Sequence, residues 1–209
     1  MKEVFLILFA ITLLFIAISN RLRGFVKILA FQGLLLFMLA FIQLIEVTVI
    51  NLIFVLLETL LFKTIALPFF LDYVIKKNKI SREAEPYVPY FLSLLITSAI
   101  IIASFILIQQ IEGLTYNTLF FVVALSTFFT GIYIIISRKK LITHLMGYIV
   151  IQNGVFILSL AIGSEMPMMV NTGILIDLFI GVLVMGIFVN KISDVFEVAD
   201  EHYISQMRD

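Results

Sequence analysis

Long apolar runs recur along this chain and constrain its fold more than any other feature. A bilayer core about 30 Å thick requires about 20 consecutive apolar residues in a spanning helix. Of the 209 residues, 62% are hydrophobic and only 13% are charged, so a polar shell cannot cover the apolar surface. The sequence therefore predicts an all-α, polytopic membrane protein. Seven spans are predicted, at residues 4–20, 25–46, 48–75, 88–111, 117–137, 141–163 and 170–190.

Lys and Arg residues cluster in every second connection between the predicted spans. The intervening connections contain acids and no Lys or Arg. Because basic residues collect in cytoplasmic loops, the N-terminus is predicted outside and the C-terminus in the cytoplasm, which an odd number of spans requires. The clustered basic residues are Arg21, Arg23, Lys27, Lys76, Lys77, Lys79, Arg82, Arg138, Lys139, Lys140 and Lys191.

The charge balance and the cysteine count exclude several kinds of function. The formal net charge is zero and the basic residues form short clusters, which gives no electrostatic footprint for nucleic acid. The sequence contains no cysteine, so this chain can hold neither a thiolate-bound iron-sulfur cluster nor a disulfide. No metal-ligand spacing or phosphate-binding loop is present. We therefore expect no metal or cofactor in this chain, and any redox centre should belong to a partner.

Three charged residues fall deep inside the predicted spans. Such a group costs at least about 2.5 kcal/mol at bilayer depth, so it usually faces a protein interior or a water-filled cavity. Glu58 and Lys63 are five residues apart in the third span, a poor spacing for pairing with each other, and Asp177 lies near the middle of the seventh. Two interpretations stay open. Either Lys63 snorkels to the headgroups while the acids remain neutral and bond to neighbouring helices, or the three belong to an ion path.

The sixth span contains the polar pair Gln152 and Asn153, which is flanked by glycines. The glycines allow close helix approach, and both amides can hydrogen-bond across it, so simple interhelical adhesion is one interpretation. The other is a shared polar layer, because Lys63, Gln152 and Asp177 each lie about 15–20 Å from the predicted cytoplasmic ends at 1.5 Å per residue.

Two further residues bear on the spans. His144 lies at the predicted cytoplasmic end of the sixth span, where it is either incidental or a point at which protons enter. Pro68 lacks the donor for the carbonyl of Thr64, so the third span should kink or break nearby.

The part of the chain from about residue 117 onward resembles subunit K of respiratory complex I and the related small membrane protein of multisubunit cation/proton antiporters. In the Gly-Leu-Glu-x-x-x-Asn signature of that family, Gly147 and Asn153 fit, but Ile149 occupies the glutamate position. A second family glutamate aligns with Asp177, which is followed by the family's Ile-Gly pair at Ile180.

Over its full length the chain more closely resembles component E of hydrogenase-4 and formate-hydrogenlyase-type complexes. The middle-helix motif of that family, Gly-Tyr-x-x-x-Glu-Asn-Gly, is matched except that Gln152 replaces the acid. The other matching stretches run from Lys63 to Pro68 and from Asp177 to Met185. This resemblance implies a partner set of antiporter-like membrane subunits and a hydrogenase peripheral arm, whose subunits would hold a nickel-iron site and iron-sulfur clusters.

The resemblance also implies how the chain is organised and what it does. We expect a four-helix membrane part at residues 1–111, a subunit-K-like part at 117–190 and a cytoplasmic tail at 191–209. The expected function is that of a non-catalytic subunit that contributes to proton or sodium translocation in a prokaryotic cell membrane. A subunit of a redox-free antiporter and a passive scaffold of the membrane arm are the alternatives.

Overall fold

A computed structural model describes residues 1–44, 58–77, 87–111 and 118–162, with the separate positions 53, 56, 173, 176, 180 and 181. For Leu44, Glu58 and Lys77 the description covers the backbone alone. The chain divides into two compact units, Met1–Ile174 and Leu175–Asp209. Most described residues belong to the first unit.

The secondary structure in the described ranges consists of helices, and it contains no extended strand. Six helical runs match the first six predicted spans to within a few residues, apart from residues 48–57, where only positions 53 and 56 are described. The seventh predicted span lies almost wholly outside the described residues. The helices are α1 (Lys2–Ile18), α2 (Leu22–Leu44), a π-helical segment (Glu58–Ala66) that continues into α3 (Leu67–Lys77), α4 (Tyr90–Gln109), α5 (Thr118–Ser137) and α6 (Leu141–Ile162).

Four of these helices are long and apolar enough to cross a bilayer: α2, α4, α5 and α6. Helix α1 has 17 residues, which is at the lower limit for a spanning helix. Outward-facing residues such as Phe91, Ile102 and Ile136 are 60% or more exposed, as expected where lipid covers the surface. The chain is therefore a multi-pass membrane protein.

The helix that contains Pro68 departs from α geometry, as the sequence predicts. The π-helical segment has nine residues and ends two residues before Pro68. The Thr64 hydroxyl donates to the carbonyl of Thr59, five residues earlier, at 2.8 Å. Because π-helical stretches are rare and usually limited to one turn, this segment needs support from its surroundings.

Helices α5 and α6 form the tightest contact in the first unit. A Cβ atom added at Gly154 of α6 would lie 2.8 Å from the backbone nitrogen of Phe128 and 2.9 Å from the carbonyl oxygen of Ala124. Only a glycine allows backbones this close. The predicted close approach at the sixth span is confirmed, and it fixes the side of α6 that carries the polar pair.

The connections between helices bring basic residues together at one end of the first unit, called here the basic end (residues 19–23, 72–76, 87–90 and 137–140). The Tyr90 hydroxyl donates to Oδ1 of Asn20 at 2.9 Å, and the amide of Tyr87 donates to the carbonyl of Ser137 at 3.1 Å. Asp72 pairs with Lys76 and, at 3.6 Å, with Arg23. The first, third and fifth connections thus share one end, as the charge pattern requires.

Candidate functional site

A chain of buried hydrogen bonds crosses three helices inside the first unit. Nδ2 of Asn153 in α6 donates to Oε1 of Gln32 in α2 at 3.1 Å. Nε2 of Gln32 then donates to the Thr12 hydroxyl in α1 at 2.8 Å, and that hydroxyl donates to the carbonyl of Phe9 at 2.6 Å. Gln32 is fully buried and Asn153 is 1% exposed. The chain of bonds therefore joins α6 to α1 through α2 with no solvent contact.

These amides lie near the middle of the membrane. Asn153 is 12 residues from the start of α6 and Gln32 is ten residues from the start of α2, which places them about 18 and 15 Å from the basic end at 1.5 Å per residue. In hydrocarbon, an unpaired amide costs several kcal/mol. Interhelical pairing is therefore what allows polar side chains at this depth.

Lys63 of the π-helical segment reaches the same face of α6. Its Nζ is buried, and it lies 4.7 Å from the centroid of the Phe156 ring, which gives a cation–π contact. The side chain is 4% exposed. Lys63 therefore points into the protein, and this geometry does not match snorkelling to the headgroups.

The backbone around Lys63 packs directly against α2. A Cβ atom added at Gly33 would lie 2.9 Å from both the carbonyl carbon and the carbonyl oxygen of Lys63, and 2.8 Å from the Thr64 hydroxyl. Gly33 follows Gln32, so one position of α2 supports the π-helical segment while the adjacent one bonds to α6. This contact is the local support for the unusual helix geometry.

Gln152 is 5% exposed and lies on α6 one turn before Phe156. Residues four apart on a helix face the same way, so Gln152 and the ring beneath Lys63 share one side of α6. Lys63 and Gln152, two members of the predicted polar layer, thus face a common region.

His144 lies apart from this cluster, near the basic end. Its Nε2 is 2.8 Å from the carbonyl oxygen of Arg138, and the ring is half-buried. Eight residues separate His144 from Gln152, about 12 Å along α6. The structure therefore brings Lys63, Gln152 and Asn153 together and places His144 at the helix start.

Two predicted residues are beyond what the structure describes. Asp177 lies outside the described residues, and so does the side chain of Glu58, although its backbone begins the π-helical segment. Their roles stay predictions. Within the described ranges, no group of three or more His, Cys, Asp or Glu side chains could hold a metal ion.

Sequence reasoning missed Thr12, Gln32 and a buried role for Arg138. Nη2 of Arg138 donates to the carbonyl of Ala17 at 2.9 Å, and its Cζ lies 5.0 Å from the centroid of the Tyr90 ring. The side chain is 3% exposed, although its position suggested only a topological charge. The sequence offers one signal for Gln32: it is an amide before a glycine within an apolar run, as Asn153 is.

Residues 119–209 match the model of the family described as NADH-ubiquinone/plastoquinone oxidoreductase chain 4L. This match covers most of α5, all of α6 and the remainder of the chain, the region in which the subunit K resemblance was found. An uncharacterized protein of Mycobacterium tuberculosis is 25% identical over 193 residues, which make up 90% of this chain and 87% of that protein. No solved structure matches the chain. The C-terminal part is thus similar to a subunit of an oxidoreductase complex.

Proposed function

We propose that this chain is a non-catalytic membrane-arm subunit of a complex-I-like complex that carries a hydrogenase peripheral arm. The match of residues 119–209 to the chain 4L family carries the proposal. The full-length resemblance to hydrogenase-4 component E supports the finer assignment to a membrane-bound hydrogenase. The proposed location is a prokaryotic cell membrane, with seven spans, the N-terminus outside and the C-terminus in the cytoplasm.

The polar cluster around Lys63 supports a part in moving H⁺ or Na⁺. A buried ammonium in a membrane interior is costly, and such groups mark ion pathways more often than they stabilise a fold. In this proposal Asp177 alternates between its protonated and ionised forms while Lys63 responds electrostatically. Gln152 replaces the acid of the related motif, and an amide cannot take up and release a proton as a carboxylate does. The proton step therefore falls to Asp177, with Glu58 as a second acid.

Co-purification tests the assignment to a complex. The chain is tagged at its C-terminus, extracted from native membrane in mild detergent and analysed with its partners by mass spectrometry. We expect hydrogenase large and small subunits together with antiporter-like chains. Antiporter-like chains without a hydrogenase module would indicate the redox-free antiporter instead, and recovery of the chain alone would refute both assignments.

The role of Asp177 has its own test in the assembled complex. Asp177→Asn should lower the number of ions moved per electron pair while electron transfer continues, because an amide cannot alternate protonation. Asp72→Asn, at the solvent-exposed basic end, is the matched control and should leave the ratio unchanged. An unaltered ratio in Asp177→Asn complexes would refute the proposed role.

A scaffold is the second candidate, and one observation favours it. The hydrogen bonds from Asn153 through Gln32 end on the carbonyl of Phe9, which is an arrangement suited to holding helices together. If the chain is a scaffold, Asp177→Asn should reduce the amount of assembled complex, and the complexes that do assemble should retain the full ion ratio.

A further inference from the structure

Four buried hydroxyls lie on α4 and α5, away from the Lys63 cluster. They are Thr97 and Ser104 of α4 and Ser126 and Thr130 of α5, called here the hydroxyl seam. Each residue is at most 2% exposed. None of the four hydroxyl oxygens has a hydrogen-bond partner among the described residues. A buried unsatisfied hydroxyl costs about 1–3 kcal/mol, so four on two adjacent helices require an explanation.

Other hydroxyls of this chain show how such groups are satisfied at low cost. Thr127, next to Ser126, donates to the carbonyl of Val123 at 2.6 Å. Ser159 donates in the same way to the carbonyl of Val155 at 3.0 Å. Helical Ser and Thr commonly bond to the preceding turn in this manner. The seam hydroxyls do not, so they remain available to another partner.

One hydrogen bond fixes how the two helices align. The Tyr133 hydroxyl of α5 donates to the Ser93 hydroxyl of α4 at 2.8 Å. Consecutive helices joined at one end run in opposite directions, so Thr97 lies about 6 Å and Thr130 about 4.5 Å beyond this bond on the same side, at 1.5 Å per residue. By the same count Ser126 lies about 10 Å and Ser104 about 16 Å beyond it.

The seam hydroxyls are therefore spaced at steps of about 5–6 Å along the membrane normal. A hydrogen bond between oxygens is about 2.8 Å long, so one water molecule between successive levels would span each step with two bonds. A hydroxyl both donates and accepts, which suits it to contact such water on either side.

A second kind of orphaned group lies at the basic end of the same helices. Arg138 directly follows α5, and its guanidinium lies over the ring of Tyr90, three residues before Ser93. Nη2 is bonded to Ala17, but Nη1 is buried and has no partner in the described ranges. A buried guanidinium N–H is strongly polar, and like the hydroxyls it requires an acceptor.

We propose that the hydroxyl seam, with Nη1 of Arg138 at its basic end, binds a file of internal water molecules between α4 and α5. Buried water typically occupies sites where otherwise unsatisfied polar groups converge, making about three hydrogen bonds. The fixed positive charge of Arg138 opposes entry of inorganic cations, so the ligand is water. The seam hydrates the interior of the first unit independently of the Lys63 cluster, and this inference does not rest on the proposed function.

The absence of cysteine from the sequence allows a test without background. Ser126→Cys and Ser104→Cys each replace an oxygen by sulfur, and the S–H stretching band is then read by infrared spectroscopy on the full chain in bilayers. Transfer to D₂O converts S–H to S–D where water reaches the sulfur. The control is Ala124→Cys, since Ala124 is a buried residue of α5 that lines an apolar cavity.

We expect the thiols of the two seam variants to exchange about tenfold faster than the control thiol, because exchange requires water or a thiolate at the sulfur. Equal rates in all three variants would overturn the proposal, whether all are slow because the seam is dry or all are fast because the whole bundle admits water. Far-UV circular dichroism checks that each variant is folded.

A second substitution tests the route. Thr130→Val removes the hydroxyl between the basic end and Ser126 while keeping the side-chain shape. In a Ser104→Cys background it should slow exchange of the deeper thiol several-fold, whereas Thr127→Val, which removes a hydroxyl already bonded to its own helix, should not. Equal exchange in both backgrounds would refute a continuous file that enters from the basic end.

Discussion

The hydrogen bond between Asn153 and Gln32 gives a quantitative prediction for a double-mutant cycle. Asn153→Leu and Gln32→Met each keep the side-chain volume and remove the polar group. Asn153→Leu leaves Oε1 of the fully buried Gln32 without its donor, and an orphaned buried acceptor costs about 1–3 kcal/mol. Replacing both partners removes the orphan as well as the bond, so the double variant should be less destabilised than the sum of the single variants.

The expected coupling follows from measured interhelical bonds in membranes. These average about 0.6 kcal/mol and reach about 1.7 kcal/mol. Because the Asn153–Gln32 pair is buried and continues into Thr12, we expect about 1 kcal/mol, which is about a fivefold change in the unfolding equilibrium constant. Unfolding of the full chain in dodecylmaltoside by added dodecyl sulfate, followed by far-UV circular dichroism, measures each corner of the cycle.

A second cycle provides the control. Asn153→Leu is combined with Tyr133→Phe, which removes the separate bond to Ser93. Distant sites with no shared partner add to within about 0.3–0.5 kcal/mol, so this cycle should give no coupling. If the Asn153–Gln32 coupling does not exceed that of the control, the hydrogen bond contributes nothing to holding α6 against α2, and the reasoning is wrong.

Three further substitutions test close contacts and the buried guanidinium in the same assay. Gly33→Ala would place a Cβ 2.9 Å from the Lys63 carbonyl, a backbone group that cannot rotate away, and should cost about 1–3 kcal/mol; a neutral result would show that the π-helical segment yields easily. Gly154→Ala should cost a similar amount by separating α5 from α6, and retention of wild-type stability would contradict the 2.8 Å approach to Phe128. Arg138→Lys should destabilise because an ammonium lacks the planar fork that both bonds Ala17 and stacks on Tyr90, whereas the exposed Arg21→Lys should not; equal effects would argue against a special role for the buried position.

The helical architecture could be predicted because membrane spans are specified locally. Apolar length and one proline are properties of consecutive residues, so the first six spans and the departure from α geometry near Pro68 follow from the sequence. The close approach at Gly154 is also local, since glycines beside a polar pair indicate an interface. These predictions are confirmed.

The partners of the polar residues could not be predicted, because they depend on how the helices rotate against one another. Asn153 was expected to bond across an interface, but nothing in its own span identifies Gln32 as the acceptor. Arg138 was interpreted from its loop position alone, and its burial depends on α1 and α4, which lie far away in sequence. Long-range rotation and packing are therefore what a single sequence leaves open.

The hydrogen bond from Asn153 to Gln32 has a consequence for how the chain is made. The two residues are 121 positions apart, whereas Gln32 and Thr12 are only 20 apart and lie in the first two helices. At a synthesis rate of about 5–20 residues per second, Gln32 is made about 6–24 s before its partner in α6. During that time Nε2 can already bond to Thr12, while Oε1 has yet to meet its donor. The first hairpin should therefore insert with half of its polar requirement met, and the arrival of α6 completes it.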